Sequence, residues 1–259
     1  MRTSATPATL AQIAPWHERY RLEMQCQIIH DSIHVRRGWT QEYLLAIDDA
    51  PVGYGSIAVA GPWNGRPTAY EIYVEPAQRH RFFDLTRAFL TASGAVDIEV
   101  QSNDRLSTAM LHAFAGDVIP EALLFEDGVV TSHAVPDATF RQATAAEASD
   151  TSEQDLPWRA VIELQGEVVA SGGVLFHYNP PFGDVYMDVK EPFRRRGLGT
   201  LIVQELKRLC HERGFVPAAR CNPANTASRQ TLQRAGFVPC GHILKGKVHS
   251  SFATPLEAS

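Results

Sequence analysis

Val189-Lys190-Glu191-Pro192-Phe193-Arg194-Arg195-Arg196-Gly197-Leu198-Gly199-Thr200 decides the fold, because the chain holds a second version of it. The earlier version is Val74-Glu75-Pro76-Ala77-Gln78-Arg79-His80-Arg81-Phe82-Phe83-Asp84. Val189 stands 115 positions after Val74, and Arg194 stands 115 after Arg79. Upstream, Ala50-Pro51-Val52-Gly53 and Gly166-Glu167-Val168-Val169 are both turns between β-rich runs, with Val52 and Val168 116 apart. Downstream, Gln101-Ser102-Asn103 parallels Arg220-Cys221-Asn222, at an offset of 119. A nearly constant offset over separate landmarks marks an internal repeat. The chain reads as two copies of one domain, residues 1–135 and 136–259.

Each copy follows one plan. A hairpin of apolar strands comes first, Tyr43 to Ile47 with Val52 to Ala60, and Ala160 to Leu164 with Val168 to Tyr178. A loop rich in Pro and Gly leads to a strand ending at Val74 or Val189. An amphipathic helix follows: Leu198, Leu201, Ile202, Leu206, Leu209 and Cys210 recur at helical spacing, and Gly214 closes it. A short strand to Cys221, a helix near Thr226 to Ala235, and a final hairpin over Phe237 to Val248 complete the second copy. The linker is placed near Thr131 to Ala138, with a polar segment over Thr144 to Gln154. Leu10 to Arg36 leaves room for two helices in the first copy, whereas Thr144 to Leu156 is short and polar in the second.

Arg194-x-x-Gly197-x-Gly199 lies between a strand and a helix. Successive backbone N–H groups at a helix N-terminus are unpaired donors in a favourable dipole, so such a turn binds anions. It is not a P-loop, since no Gly-Lys-Ser/Thr follows, nor a dinucleotide fingerprint, since Ile202 stands where the third glycine belongs. With Val189 and Pro192 before it, and Asn222 to Ser228 and Gly236-Phe237 after it, the turn resembles that of the GNAT superfamily of N-acetyltransferases. The resemblance spans the second copy from Trp158 onward and, more faintly, the first. It implies an α+β fold of two tandem GNAT-like domains, each a mixed, mostly antiparallel sheet flanked by helices.

The resemblance also implies acetyl transfer from acetyl-CoA, as co-substrate, to an amine by direct attack in a ternary complex. Backbone N–H groups of Arg194, Arg195, Arg196, Gly197, Leu198, Gly199 and Thr200 would cradle the pyrophosphate, with arginine charge added. Val189 would hydrogen-bond the pantetheine arm, and Asn225 and Ser228 would touch the pantetheine or the departing sulfur. Asp184 is the first candidate for the base that frees the amine, and Asp188, on the same strand face, is the second. His177 and Glu163 are further options, and Asp184 also reads as a turn residue after Gly183. Leu232 stands where many members carry the tyrosine acid. In the first copy Phe82 and Asp84 replace Gly197 and Gly199, which implies a degenerate domain kept for structure or for shaping the acceptor site.

Composition narrows the alternatives. With 44% apolar and 20% charged residues in 259, the chain is globular, and a net charge of −5 argues against nucleic-acid binding. The four cysteines form no C-x-x-C pair, which excludes a zinc-ribbon or disulfide framework. No secretory leader and no apolar run long enough to span a bilayer is read, so the expectation is a cytoplasmic protein without a membrane partner. No metal is expected: His30 and His34 stand four apart, but no third ligand is evident. Trp16, Trp39, Trp63 and Trp158 read as packing residues, and Asn179-Pro180-Pro181-Phe182 as a rigid loop or part of an acceptor pocket. The amine is expected on a small molecule or a peptide, a homodimer is compatible with the sequence, and a non-catalytic acyl-CoA sensor is the rival reading.

Overall fold

A computed structural model describes residues 1–148 and 158–253. In chain order the elements are β1 (Thr3–Ala8), α1 (Leu10–Met24), β2 (Thr40–Ile47), β3 (Ala50–Ala58), β4 (Thr68–Val74), α2 (Phe82–Ser93), β5 (Asp97–Gln101), α3 (Arg105–Phe114) and β6 (Ala115–Asp127). Then come β7 (Ala138–Gln142), α4 (Ala145–Ala148), β8 (Trp158–Leu164), β9 (Glu167–Leu175), β10 (Phe182–Val189), α5 (Leu198–Glu212), β11 (Val216–Cys221), α6 (Thr226–Arg234), β12 (Phe237–Val248) and α7 (Ser250–Ala253). Residues 149–154 of the expected polar segment lie outside the described residues.

The chain forms two compact units, residues 1–121 with 242–259, and residues 122–241. They do not divide at 135/136. The sheets explain why. In the first unit β1 to β4 pair antiparallel in sequence order, β4 and β5 run parallel, and β5 pairs antiparallel with Ile243 to Lys247 of β12. In the second unit β7 to β10 pair antiparallel, β10 and β11 run parallel, and β11 pairs antiparallel with Leu123 to Glu126 of β6. Both sheets therefore follow the same order, and each is completed by a strand from the other half of the sequence. The final hairpin expected over Phe237 to Val248 is one twelve-residue strand. Its apolar residues do not alternate in a way that marks a turn, and pairing of Ile243 to Lys247 with β5 accompanies the long strand.

Each sheet is mixed and mostly antiparallel, and the fold is α+β, as the resemblance implied. In the first unit α1 opens on a capping box: the Thr9 side chain accepts from the Gln12 backbone, and the Gln12 side chain accepts from the Thr9 N–H. Its Ile13 and Tyr20 pack with Tyr54 and Tyr73. The opposite sheet face, with Ile72 and Val74, packs with Leu85, Phe89 and Met110 of α2 and α3. Phe89 lies so close over Gly55 that a Cβ there would meet its ring at 2.8 Å. In the second unit α5 lies on β9, where a Cβ on Gly172 would meet Leu206 at 3.1 Å and Ile202 at 3.3 Å. Val185 joins that core, with Met187 and Val189 against it, which turns the alternate residues Asp184, Tyr186 and Asp188 to the other face. The tryptophans serve packing in both units: Trp39 and Trp63 meet edge to face, and Trp158 meets Phe176 and Phe215. No helix among the described residues is long and apolar enough to cross a membrane.

Candidate functional site

Three features of the second unit lie along β10, from Asp184 near its start to the turn that follows Val189. The first is the turn itself. After Val189 a single 3₁₀ turn, Glu191–Phe193, leads to Arg195 at φ +62° and Gly197 at φ +82°. Both lie in the left-handed region, which favours glycine at the second. Gly197 is the N-cap of α5 and offers no side-chain acceptor, so the first N–H groups of the helix stay available. By contrast α6 is capped by Asn225, whose side chain accepts from Ser228 N–H at 3.0 Å. Leu198 and Thr200 are buried, so at this turn they present backbone and not side chains. Arg194 folds back and donates from Nε to the Val189 carbonyl at 2.9 Å, while Arg195 and Arg196 are exposed.

The two glycines have separate reasons. A Cβ on Gly199 would meet Thr231 at 3.2 Å, so this glycine lets α5 approach α6. A Cβ on Gly197 would collide with the His133 imidazole. His133 is held there by Gln204 of α5, which accepts from its N–H at 2.7 Å and donates to its carbonyl at 3.2 Å. Nothing local in the sequence marks His133, which lies in the expected linker. The structure places it at the turn between β10 and α5, against Gly197.

The second feature is a divergence of strands. The parallel pairing of β10 with β11 covers only Phe182 to Asp184 against Val216 to Ala218. Beyond Asp184 the two strands separate, leaving backbone groups of β10 on that side for a ligand. Asp184 is the last paired residue and occupies the vertex of this cleft, about 16 Å from Val189 at ~3.3 Å per residue.

The third feature is the set of groups at that vertex. Asp184 is buried, with His177 Nε2 at 3.0 Å and Arg220 Nε at 3.4 Å from its carboxylate. The His177 side chain is 22% exposed, so the pair links a buried anion to a solvent-reachable imidazole. Tyr178 is buried beside them, and burial followed by the Asp184 charge raises its phenol well above the usual range. It remains protonated. Asp188, the second candidate base, is 74% exposed and lies 3.8 Å from Arg194. Glu163 is on β8 and is held by Arg141 at 2.9 Å, away from the vertex. Asn225 spends its side-chain oxygen on the α6 cap, and Leu232 is a core residue. The vertex therefore joins Asp184 and His177, and it leaves Asp188 and Glu163 apart.

The first unit repeats the frame with different content. Arg79 donates from Nε to the Val74 carbonyl at 3.0 Å, the counterpart of Arg194 on Val189. Here, however, the turn is a 3₁₀ helix, Pro76–Arg81, that runs straight into α2. Phe82 fills the position of Gly197 and belongs to the core, and Asp84 pairs with Arg81 at 2.9 Å. On the other face of that sheet, His34 does have close partners: His17 of α1 and Glu71 of β4. This group is not the expected His30–His34 pair: it omits His30, and the partners of His34 stand 17 and 37 positions away. His30 turns instead to Glu99 at 3.0 Å.

Comparison with known proteins agrees with this geometry. Residues 127–237 match the model of the acetyltransferase (GNAT) family. No curated protein matches the chain. Among solved structures, a GNAT-family acetyltransferase from Colwellia psychrerythraea superposes with a TM-score of 0.74 at 12% identity, covering 96% of this chain and 100% of that one. A tandem GNAT protein from the clavulanic acid biosynthesis pathway, solved without AcCoA, gives 0.62 at 13% identity over 99% and 100%. A GCN5-related N-acetyltransferase from Sphaerobacter thermophilus gives 0.58 at 12% over 95% of each chain. These likenesses establish the fold, and the family match covers the turn, the cleft and its vertex. Residues 127–237 are thus an acetyltransferase domain of the GNAT family, in a chain with the fold of tandem GNAT proteins.

Proposed function

We propose that the second unit transfers an acetyl group from acetyl-CoA to an amine carried by a small molecule or a peptide. The observation that carries this reading is the cleft that opens beyond Asp184 and leads to the uncapped N-terminus of α5. In this reading the N–H groups from Arg194 to Thr200 hold the pyrophosphate, and the exposed guanidinium groups of Arg195 and Arg196 add charge. The pantetheine arm lies along the open edge of β10 near Val189, with the acetyl group pointing toward the vertex. Asn225 and Ser228 lie at the start of α6, and their contribution is through backbone and hydroxyl contacts to the arm.

At the vertex the neutral amine attacks the thioester carbon, the C–S bond breaks, and the CoA thiolate leaves. The proton of the attacking nitrogen goes to the His177–Asp184 pair. In this reading the imidazole is the acceptor, and the Asp184 carboxylate, 3.0 Å from its Nε2, orients it. Free backbone donors of β10 stabilise the oxyanion. The first unit, with Phe82 in place of the turn glycine, serves as scaffold and binds no CoA. Free cysteines, four of them, suit a reducing compartment such as the cytoplasm.

Calorimetric titration with acetyl-CoA tests the reading. One site per chain, with thiol released only when amines are supplied, is the expected result. No binding would sink it. Binding without transfer to any amine in a broad panel would favour an acyl-CoA sensor, a reading that rests on Leu232 being a core residue and not a tyrosine acid.

A further inference from the structure

The face of the first unit's sheet that carries Glu71 holds a buried polar cluster that the acetyl-transfer reading does not use. We propose that His17, His34 and Glu71 form a binding site for a divalent transition-metal ion of the zinc type. One ligand atom from each lies within 4.8 Å of the other two. His34 Nε2 is 3.0 Å from Glu71 Oε1, and His17 Nε2 is 3.9 Å from the same oxygen. Ligands on a tetrahedral zinc ion at ~2.0–2.1 Å sit roughly 3.3 Å apart, so these spacings need only small side-chain shifts.

Unsatisfied atoms point the same way. Glu71 is 1% exposed, and its Oε2 has no hydrogen-bond partner among the described residues. His17 Nε2 is also buried without one; it lies 3.4 Å from Asp31 Oδ1, but not in hydrogen-bond alignment. A buried acceptor left unpaired is destabilising, and a cation in the gap would satisfy it.

The surroundings fit a metal-bound histidine. His34 turns its other nitrogen, Nδ1, to Glu42 Oε1 at 3.3 Å, and Glu42 accepts in turn from the Ser56 hydroxyl. A carboxylate on the far ring nitrogen is the usual outer support of a histidine ligand, because it fixes which nitrogen faces the ion. Tyr54 donates to Glu71 Oε1 at 2.6 Å, and the Tyr70 hydroxyl lies 3.0 Å from His34 Nε2.

Charge gives the same answer. Arg21 neutralises Asp31 through a two-point contact at 2.6 and 2.7 Å, which leaves Glu42 and Glu71 buried. A divalent ion beside the two rings, whose centroids are 4.4 Å apart, would offset both carboxylates. A cleft of about 520 Å³ is lined in part by His34 and Glu42.

The test is to titrate the metal-stripped full-length protein with ZnCl₂ by calorimetry, and with CoCl₂ while following visible absorption. One Zn²⁺ per chain, and cobalt bands of a tetrahedral nitrogen–oxygen site without thiolate charge transfer, are expected. Glu71→Gln and His17→Ala should abolish stoichiometric binding. Glu42→Gln should weaken it about 10–100-fold, as loss of an outer carboxylate does. His30→Ala, beside the cluster, should leave it unchanged. Circular dichroism of each variant separates loss of the site from loss of the fold. Failure of the folded wild-type protein to bind either ion would overturn the site, and the cluster would then be a proton-held network. Binding that survives in folded Glu71→Gln would overturn it equally.

Discussion

The turn after β4 and the turn after β10 share a frame and differ in what the frame encloses. Both begin at a valine whose carbonyl is clipped by an arginine five positions on, at 3.0 Å in the first unit and 2.9 Å in the second. After that point the second unit leaves helical geometry twice, at Arg195 and Gly197, before α5 starts. The first unit winds through a 3₁₀ helix into α2 and buries Phe82. An open turn needs positive φ and an absent side chain; a closed one needs neither and gains a core residue. The vertices of the parallel pairs differ in the same sense: Ala69 is the last residue of β4 paired with β5, where Asp184 is the last of β10 paired with β11. One framework can therefore hold a chemical site or a packed core, decided at about three positions.

Transplanting residues from one unit to the other turns the comparison into measurements. Asp184→Ala copies the first unit's vertex and should lower kcat by about 10²–10⁴, with His177→Ala close behind. Asp188→Asn should leave kcat within a few-fold in the same assay; if the two aspartates proved equal, the vertex would lose its role. Gly199→Asp copies Asp84, placing a carboxylate at the anion site and pressing on Thr231. Its acetyl-CoA affinity should fall about 100-fold, equivalent to ~2.7 kcal/mol, by calorimetry. In the other direction, Phe82→Ala should cost about 3–5 kcal/mol of stability in chemical denaturation. The KM for acetyl-CoA should stay put, and a shift in it would mean that the first turn takes part in cofactor binding. The mildest contrast is between the clips. Arg194→Ala should raise that KM by about tenfold, whereas Arg79→Ala should remove ~1 kcal/mol of stability with no kinetic change.

Much of the turn could be read before the structure, because its requirements are local. Gly197 is needed for its positive φ, and the amphipathic run from Leu198 to Cys210 follows from one buried stripe. The repeat itself was legible from the 115-residue offset. What escaped was set by long-range pairing. β6 and β12 lack a clean alternation, and nothing within them says which sheet will accept them. His133 reaches the turn only because Gln204 binds its backbone from 71 residues away. His17, His34 and Glu71 come from a helix, a 3₁₀ turn and a strand, at no periodic spacing. For the catalytic candidates the sequence offered Asp184, Asp188, His177 and Glu163 together; burial and ion pairing separated them.

The exchange of β6 and β12 has a consequence for how the protein is made. Residues 122–241 are contiguous, so that unit has every strand it needs once its last residue has left the ribosome. The unit that begins the chain does not, because β5 waits for Ile243 to Lys247. The sheet of the first unit is therefore completed by a strand synthesised after every residue of the second, so the part of the chain made first is the part whose sheet is finished last.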